Sequence, residues 1–335
     1  MRSVEVAVPG HPYPVLVGSG ALERLESFLT GRVAVVADRA VPVLPELDRV
    51  ASPLLRLAGG EPAKTMRNVS RLLRFFGESR VGRDGTIVAV GGGTIGDLAG
   101  FAASIWLRGV AVVQVPTTLL AMVDSAVGGK TGVNTASAKN AIGSFWQPRA
   151  VLADIRYLDS LSEEQVRGGQ AEIIKYTMAL DAGMLELRDL DEIIERCVRC
   201  KARVVVEDER EAGLREVLNY GHTVGHAIES ASGYALHHGR AVAAGMRAAA
   251  RISAALGLCE QSLVEAQDEL LAAHGLPGPL PKLTPEQVLE ATGGDKKSRG
   301  GRRRWVLLRE MGRAEAGHEV PEDLVRQAVT EILSS

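Results

Sequence analysis

The first half of the chain alternates short, continuously apolar runs with amphipathic segments of helical period, such as residues 68–77. The apolar runs occupy residues 33–37, 86–90, 110–115 and 151–155. Strands without polar alternation are buried on both faces, as they are in a parallel sheet covered by helices. The pattern therefore predicts an α/β nucleotide-binding domain with a Rossmann-like parallel sheet over residues 1–160.

From about residue 161 the strand signals nearly disappear and helical periods follow one another. Predicted helices span residues 163–178, 190–208, 214–232, 240–256, 262–274, 285–291 and 322–333, and one hairpin-like piece lies at 296–308. We therefore predict a mainly α-helical second domain over residues 161–335, which binds metal and substrate.

The composition limits the class of protein. With 335 residues, 46% apolar and 24% charged, the chain is long enough for two ordinary globular domains. The net charge of -2 argues against general nucleic-acid binding. The N-terminal stretch lacks the pattern of a signal peptide, and the Ala-rich run at 241–258 carries two arginines, so we expect a cytoplasmic protein without a membrane span. Three cysteines make no disulfide framework.

Lysine is used sparingly, which makes each lysine informative. The chain has 39 basic residues but only eight lysines, and seven of the eight lie in glycine-, Asn- or acid-rich stretches. A compact ammonium differs from a guanidinium where it must meet an oxygen or act as a base. Histidine is clustered as well, with His222, His226, His237 and His238 among the seven. Both distributions predict an anionic-ligand site beside a metal.

A glycine-rich loop at residues 91–97, GGGTIGD, follows a predicted strand and opens a helix. In that context the glycines let the backbone approach a pyrophosphate, which the helix N-terminus attracts. Asp38, at the end of an earlier strand, suits a ribose hydroxyl. The simpler alternative is a tight turn between strand and helix.

A second glycine-rich loop runs from Asp124 to Thr131 and contains GGKT. It is not a kinase-type phosphate loop, because Asp124 stands where that motif requires its first glycine. Lys130 and, further along, Lys139 and Asn140 nevertheless supply two ammonium groups and an amide. This set suits a polyoxygenated anionic small molecule.

The stretch LREVLNYGHTVGHAIES places Arg215, Asn219, His222, His226 and Glu229 at spacings of 4, 3, 4 and 3. On one continuous helix these side chains fall within an arc of roughly 80°. Spacing alone favours His222 and His226 as an i, i+4 pair of zinc ligands with a carboxylate as the third. The alternative is a solvated helix face. Glycines 221 and 225 indicate that another element packs closely there.

At these residues the chain resembles the 3-dehydroquinate synthases of the sugar-phosphate cyclase superfamily. The similar stretches run in order from about residue 59 to 308: GGEPAKT, GGGTIGDLAGF, RGVAVVQVPTTLLAMVDSAVGGKTGVN, AKNAIGSFWQP, AEIIKY, KARVVVEDEREAGLREVLNYGHTVGHAIES, HHGRAVAAGM and GGDKKSRGG. Several long motifs in register are far more specific than one glycine loop.

The resemblance implies cofactors and changes the ligand set. Zinc, with cobalt as an alternative, would be bound by Glu172, His222 and His238, and His226 would contact the substrate. NAD would lie along Asp38, Gly60, Glu61, Lys64, Gly92, Gly93, Thr94, Ile95, Gly96, Asp97, Thr117, Thr118, Lys130 and Lys139, with the turn from Tyr157 to Ser160 closing over it.

The resemblance also implies the reaction, the conversion of 3-deoxy-D-arabino-heptulosonate 7-phosphate to 3-dehydroquinate and phosphate by a homodimeric lyase without net redox. This is a step of the shikimate pathway to the aromatic amino acids. The implied substrate residues are Asp124, Lys130, Asn140, Lys175, Lys201, Arg215, Asn219, His226 and Lys296, and Arg108 would reach a phosphate, with the dimer partner's substrate as one option.

The chain departs from the family pattern at three single positions and in the loop at residues 135–138, TASA, which replaces a more usual Pro-Leu-Gly-type loop. Gln165 stands where a glutamate is expected near the cofactor, Gln170 replaces an apolar residue, and Arg240 follows a His-Gly pair where glutamate is common. These departures concern cofactor affinity and loop shape more than the activity. The rival interpretations are a sister cyclase acting on a sugar phosphate without a carboxylate, a metal-dependent polyol dehydrogenase, and a non-enzymatic NAD-binding module.

Overall fold

A computed structural model of the protein describes residues 1–42, 44–50, 52–135, 138–293 and 304–334. The chain forms two compact units. The first comprises Met1–Ser162 and Arg188–Arg210, and the second comprises Glu163–Leu187 and Glu211–Ser335. The described helices include none that is long and apolar enough to cross a membrane.

The strands divide into one large sheet and two hairpins. In chain order they are β1 Arg2–Val6, β2 Tyr13–Val17, β3 Val33–Asp38, β4 Leu54–Leu57, β5 Thr86–Gly91, β6 Ala111–Pro116, β7 Lys130–Val133, β8 Ile142–Phe145, β9 Ala150–Ala153, β10 Trp305–Glu310 and β11 Arg313–His318. The seven-stranded sheet of the first unit has the order β1-β2-β9-β6-β5-β3-β4, and all its pairs are parallel except β1–β2. The β7–β8 and β10–β11 pairs are antiparallel.

The helices are α1 Pro45–Arg49, α2 Met66–Glu78, α3 Gly93–Ile105, α4 Glu163–Ala179, α5 Leu190–Glu207, α6 His222–Ala231, α7 His238–Ala255, α8 Gln261–Ala273, α9 Pro285–Gly293 and α10 Glu322–Ser334. The central strand β5 is buried at every residue, and apolar side chains of α2 and α3 complete the core beside it. The prediction of a parallel α/β region followed by a helical one is confirmed.

One predicted domain boundary differs from the compact units. The sequence places the helix at 190–208 in the second domain, whereas α5 belongs to the first unit because it packs against β1 and β2. Arg2 on β1 contacts Glu195 at 3.1 Å and Glu192 at 3.4 Å on α5. The ranges 1–160 and 161–335 remain a prediction for functional domains.

Two local predictions need correction. The helix expected at 214–232 is broken: a 3₁₀ helix covers Leu214–Asn219, and α6 begins at His222 after Gly221 in the left-handed region, φ 79°. The hairpin expected at 296–308 is β10–β11, which turns at Gly312 with φ 85°, and residues 294–303 lie outside the described part of the chain.

Glycines allow α6 and α7 to cross at very short range. A Cβ built at Gly245 on α7 would lie 1.8 Å from the Gly221 carbonyl oxygen, and one at Gly225 would lie 2.9 Å from the Ala241 carbonyl oxygen. The same device recurs between α4 and α7, where a Cβ at Gly239 would lie 2.5 Å from the Gly168 Cα. The sequence prediction of close packing at glycines 221 and 225 is confirmed.

The crossing predicts a position-specific cost of adding a methyl group. We expect Gly245→Ala to lower the free energy of unfolding by about 1–3 kcal/mol or more, because backbone atoms must move to admit the Cβ. Gly168→Ala is the matched control, since nothing lies within 4 Å of a Cβ there and alanine favours a helix. Urea denaturation of both variants measures the difference, and equal stability would contradict the described crossing.

Candidate active site

Three side chains from three helices of the second unit converge. Glu172 lies on α4, His222 is the first residue of α6 and His238 is the first residue of α7. The Glu172 Oε1 atom lies 3.3 Å from His238 Nε2 and 3.8 Å from His222 Nε2. One ligand atom from each side chain lies within 4.8 Å of the others, which is the spacing of a metal site.

The donor set fits a divalent cation. Glu172 is fully buried, and no residue in the described part of the chain makes a hydrogen bond of good geometry to either carboxylate oxygen. Lys175 Nζ contacts Oε2, and its ammonium also lies 4.9 Å from the centre of the Tyr176 ring. Two imidazole nitrogens and one carboxylate leave a fourth position open, as in catalytic zinc sites.

The two histidines of this group titrate in opposite directions. Burial, followed by the Lys175 charge, lowers the pKa of His222 well below its usual value, which favours the neutral ring that a metal ligand requires. Burial also lowers the pKa of His238, but the Glu172 and Glu229 carboxylates beside its two ring nitrogens outweigh burial and raise that pKa to about 9. A cation bound here would compete with the proton on His238.

The geometry differs from the ligand pair chosen by spacing alone. His226 lies with its ring centre 5.1 Å from that of His222, but its side chain is exposed and Glu172 groups with His238 instead. The break before α6 also removes the single helical stripe, because Arg215 and Asn219 belong to the preceding 3₁₀ helix.

Arg215 and Asn219 lie in contrasting environments. Arg215 is 1% exposed, the largest fully buried side chain in the described part of the protein. The Asn219 side-chain amide donates to Glu211 Oε1 at 3.2 Å, and Glu211 adopts φ 58°. Glu211, which the spacing argument did not include, lies four residues before Arg215 in EAGLREVLN.

The first glycine-rich loop has the expected strand–loop–helix form. β5 ends at Gly91, Gly92 precedes α3 in an extended conformation, and no side chain caps the helix. A Cβ built at Gly93 would lie 2.6 Å from Ser125 Oγ, and one at Gly92 would lie 3.0 Å from Thr118 Cγ2. Thr94, Ile95 and Gly96 form the first turn, and the N–H groups of Ile95 and Gly96 donate to the Gly92 carbonyl at 3.0 and 3.2 Å. The N-terminus of such a helix attracts anions in general.

Neighbouring strand ends bring further predicted cofactor residues to the same sheet edge. Thr117 follows β6, and its N–H donates to the Gly91 carbonyl at 3.0 Å. Asp38 ends β3 and accepts from the N–H groups of Ala40 at 3.0 Å and Gly59 at 3.3 Å. A Cβ at Gly59 would lie 1.9 Å from Asp38 Oδ2, so a side chain there would displace the Asp38 carboxylate. Ligands of open α/β sheets bind outside this carboxyl edge.

Lys64 connects three distant motifs of the first unit. Its buried ammonium donates to Asp97 Oδ2 at 2.7 Å and to Asn140 Oδ1. Burial raises the pKa of Asp97, and the Lys64 charge opposes that change. Nearby, Glu61 Oε1 accepts from Asn134 Nδ2 at 2.7 Å, and the Asn140 N–H donates to Asn134 Oδ1 at 2.8 Å. The network fixes the Glu61–Lys64 turn, which follows Gly60, against the Asn140 loop.

Asp124 lies in a π-helical turn, Ala121–Ser125, a form that is frequent at functional sites. Lys201 on α5 is 6% exposed, and its ammonium donates to the Asp124 carbonyl at 2.9 Å and to the Asp124 carboxylate. The structure thus brings together two predicted substrate residues that are far apart in the sequence.

The remaining predicted residues are placed as follows. Arg108 and Lys130 are exposed and Lys139 is half-buried. The Tyr157 ring is fully buried, so its phenol does not line an open surface, and Ser160 Oγ donates to the Tyr157 carbonyl at 2.7 Å. Lys296 lies outside the described residues.

The three single-residue departures from the family pattern lie on helices of the second unit, and the departing loop at 135–138 includes residues 136 and 137, which lie outside the described part of the chain. Gln165 is exposed and Gln170 half-buried on α4. Arg240 on α7 donates from Nε to the Pro277 carbonyl at 2.7 Å and also contacts the Pro279 carbonyl. Arg240 therefore holds a loop, which explains how an arginine is accommodated at that position.

Comparison with solved structures first defines the class. A 2-deoxy-scyllo-inosose synthase complexed with carbaglucose-6-phosphate, NAD⁺ and Co²⁺ superposes with a TM-score of 0.90, 29% identity and coverage of 98% of this chain and 100% of that one. A 2-epi-5-epi-valiolone synthase from Streptomyces hygroscopicus with NAD⁺ and Zn²⁺ bound superposes with a TM-score of 0.88 and 26% identity, covering 96% of this chain and 97% of that one. More distant dehydrogenases share the fold alone. The class is therefore that of the sugar-phosphate cyclase enzymes.

The family follows from the sequence comparisons. The 3-dehydroquinate synthase N-terminal model matches residues 54–168 and the C-terminal model matches residues 169–298. A 3-dehydroquinate synthase of Gloeobacter violaceus is 41% identical, and the match covers 98% of this chain and 99% of that protein. A 3-dehydroquinate synthase of Nostoc punctiforme is 47% identical, and the match covers 82% of this chain and 80% of that protein. The chain belongs to the 3-dehydroquinate synthase family.

The metal group predicts a contrast between adjacent histidines. We expect His238→Ala to abolish stoichiometric binding of zinc, because a site with three protein ligands loses one of them. His237→Ala is the matched control, since His237 is exposed and belongs to neither candidate metal group. Equilibrium dialysis with metal analysis of both variants gives the result; a metal-free His237→Ala with a metal-loaded His238→Ala would refute the assignment.

Proposed function

We propose that the chain converts 3-deoxy-D-arabino-heptulosonate 7-phosphate into 3-dehydroquinate and phosphate, with NAD and zinc as cofactors. One observation carries the proposal: the buried Glu172 carboxylate, Lys175 and the imidazoles of His222 and His238 form one compact group. The family membership supplies the reaction to which this group is suited.

The residues of the second unit would hold the metal and one part of the substrate. Glu172, His222 and His238 would bind zinc. When bound, zinc would withdraw electrons from a substrate oxygen, and NAD would accept a hydride and return it within the same turnover. Lys175 is buried to 1% exposure, so its charge acts in a medium of low dielectric constant. Arg215, Asn219 and His226 would orient substrate oxygens.

The residues of the first unit would hold NAD and the rest of the substrate. The α3 N-terminus would receive the pyrophosphate and Asp38 a ribose hydroxyl. Asp124 accepts from the Lys201 ammonium through its carbonyl and its carboxylate, so the position of Lys201 would be fixed before substrate binds. Such orientation lowers the entropic cost of reaching the transition state.

The substrate assignment separates this proposal from a sister cyclase. The presence of the cationic residues Lys130, Lys201 and Arg215 favours a substrate that carries a carboxylate as well as a phosphate. The solved sister cyclase with carbaglucose-6-phosphate shows the same fold with another ligand. Because sister cyclases share this fold, the substrate is decided by an assay with each candidate sugar phosphate.

We expect zinc-loaded protein with catalytic NAD to release phosphate from 3-deoxy-D-arabino-heptulosonate 7-phosphate without a build-up of NADH. The hydride is returned within each turnover, so absorbance at the NADH band stays flat while phosphate rises. Matched assays use sedoheptulose 7-phosphate and glucose 6-phosphate. Turnover of only one of these two sugar phosphates would identify the protein as a sister cyclase. NADH that accumulates during turnover would identify it as a polyol dehydrogenase.

We further propose a cytoplasmic homodimer in which a second copy covers the end of α3 and the β8 hairpin. Ile105, Leu107, Ile142 and Phe145 are each 37–43% exposed there, and Ser144 Oγ contacts Ser104 Oγ at 2.7 Å between the two elements. Arg108 lies beside this apolar surface at φ 69°. Several exposed apolar side chains on two elements that contact each other favour a protein partner.

If the proposed surface forms the dimer, one charged side chain introduced into it should dissociate the two copies. We expect Ile105→Lys to shift the protein to a monomer, because a buried lysine opposes association while its charge suits a helix C-terminus. Leu190→Asp is the control, since Leu190 is 38% exposed at the N-terminus of α5, where a negative charge is favourable. Size-exclusion chromatography with light scattering distinguishes the states, and a dimeric Ile105→Lys would exclude this surface.

A further inference from the structure

Glu229 is a buried carboxylate that no step of the proposed reaction uses. It lies on α6 and is 4% exposed, one turn beyond His226 and two turns beyond His222. The close crossing of α6 and α7 brings it beside His238, the first residue of α7. A carboxylate at this depth carries a desolvation cost unless it meets a donor or a cation.

The His238 ring faces a different carboxylate at each nitrogen. Its Nδ1 atom lies 3.4 Å from Glu229 Oε2, and its Nε2 atom lies 3.3 Å from Glu172 Oε1. A neutral imidazole carries one proton, so the nitrogen that donates cannot also be a metal ligand. Whichever carboxylate accepts the proton thereby decides which nitrogen is available to the metal.

We propose that Glu229 is the positioning residue of the metal centre: it accepts the Nδ1 proton of His238 and so leaves the Nε2 lone pair for a divalent cation held with Glu172 and His222. The inference rests on the metal site of the proposed function. Outer carboxylates of this kind fix the tautomer and ring orientation of a metal-binding histidine and increase its basicity.

A direct ligand role for Glu229 is the alternative. His226, Glu229 and His238 also offer ligand atoms within 4.8 Å of one another. In that arrangement Nδ1 of His238 would bind the metal and Nε2 would be protonated toward Glu172. The exposed His226 side chain would then replace His222, whose side chain is 12% exposed, as a ligand. The buried Glu172 carboxylate, with two oxygens that lack well-formed hydrogen bonds in the described part of the chain, favours the metal at Glu172.

The test measures metal affinity and coordination rather than turnover. Metal-free, full-length protein is titrated with Co²⁺, and the visible absorption bands of the bound ion report its ligands. We expect Glu229→Ala to weaken Co²⁺ binding by roughly 10- to 100-fold with unchanged band positions. Glu229→Gln retains an oxygen that accepts a hydrogen bond from the Nδ1–H group of His238, so we expect it to recover most of the Co²⁺ affinity. Ser230→Ala, at the exposed neighbour on α6, is the matched control.

Three results would overturn the inference. Equal affinity of Glu229→Ala and the unsubstituted protein would remove the positioning role, and shifted absorption bands would make Glu229 a ligand. A Glu229→Gln variant as weak as Glu229→Ala would show that charge, rather than proton acceptance, matters. Failure of the unsubstituted protein to bind any Co²⁺ would instead defeat the proposed metal site itself, which separates the two failures.

A second measurement does not depend on the variants folding. In zinc-loaded protein labelled with ¹⁵N-histidine, nuclear magnetic resonance distinguishes a ring protonated at Nδ1 from one protonated at Nε2. We expect His238 to carry its proton at Nδ1. A metal-bound His238 with its proton at Nε2 would overturn the inference even if Glu229→Ala proved unstable.

Discussion

The burial of the Glu172 carboxylate is the constraint on which the second unit depends. An ionised carboxylate removed from water is strongly destabilising unless cations and donors surround it. Lys175 supplies a positive charge from the same helix, and His222 and His238 approach the carboxylate from two other helices. The helices must therefore approach within ligand distance, and the glycine contacts of α7 with α4 and α6 make that approach possible.

The sequence predicts the central sheet well because those strands are buried on both faces. Continuous apolar runs mark β3, β5, β6 and β9, whereas β2 alternates buried and half-buried residues and pairs antiparallel with β1, so it gives no such signal. The break before α6 was missed for another reason. Gly221 at φ 79° ends one helical segment and starts another without interrupting the spacing of the polar residues.

The candidate site could be predicted only in part by spacing. Residues one turn apart on a helix can be grouped from the sequence, and this grouping favoured His222 and His226 as the pair of zinc ligands. Glu172 and His238 come from other helices, and only their tertiary packing or a resemblance to a family brings them to His222. The Lys201–Asp124 and Lys64–Asn140 contacts likewise join distant segments, which no local period reveals.

The way the two units share the chain has a consequence for synthesis on the ribosome. α5, the helix that covers β1 and β2, belongs to the first unit but is made after α4, which belongs to the second. The sheet can begin to form early, yet its first hairpin lacks its covering helix until residue 210 has emerged. The nascent α4 in turn waits for partners that are translated later still. We therefore expect the two units to fold in an interleaved rather than a sequential order, and a pause in translation between α4 and α5 would leave the face of β1 and β2 that α5 covers exposed to chaperones.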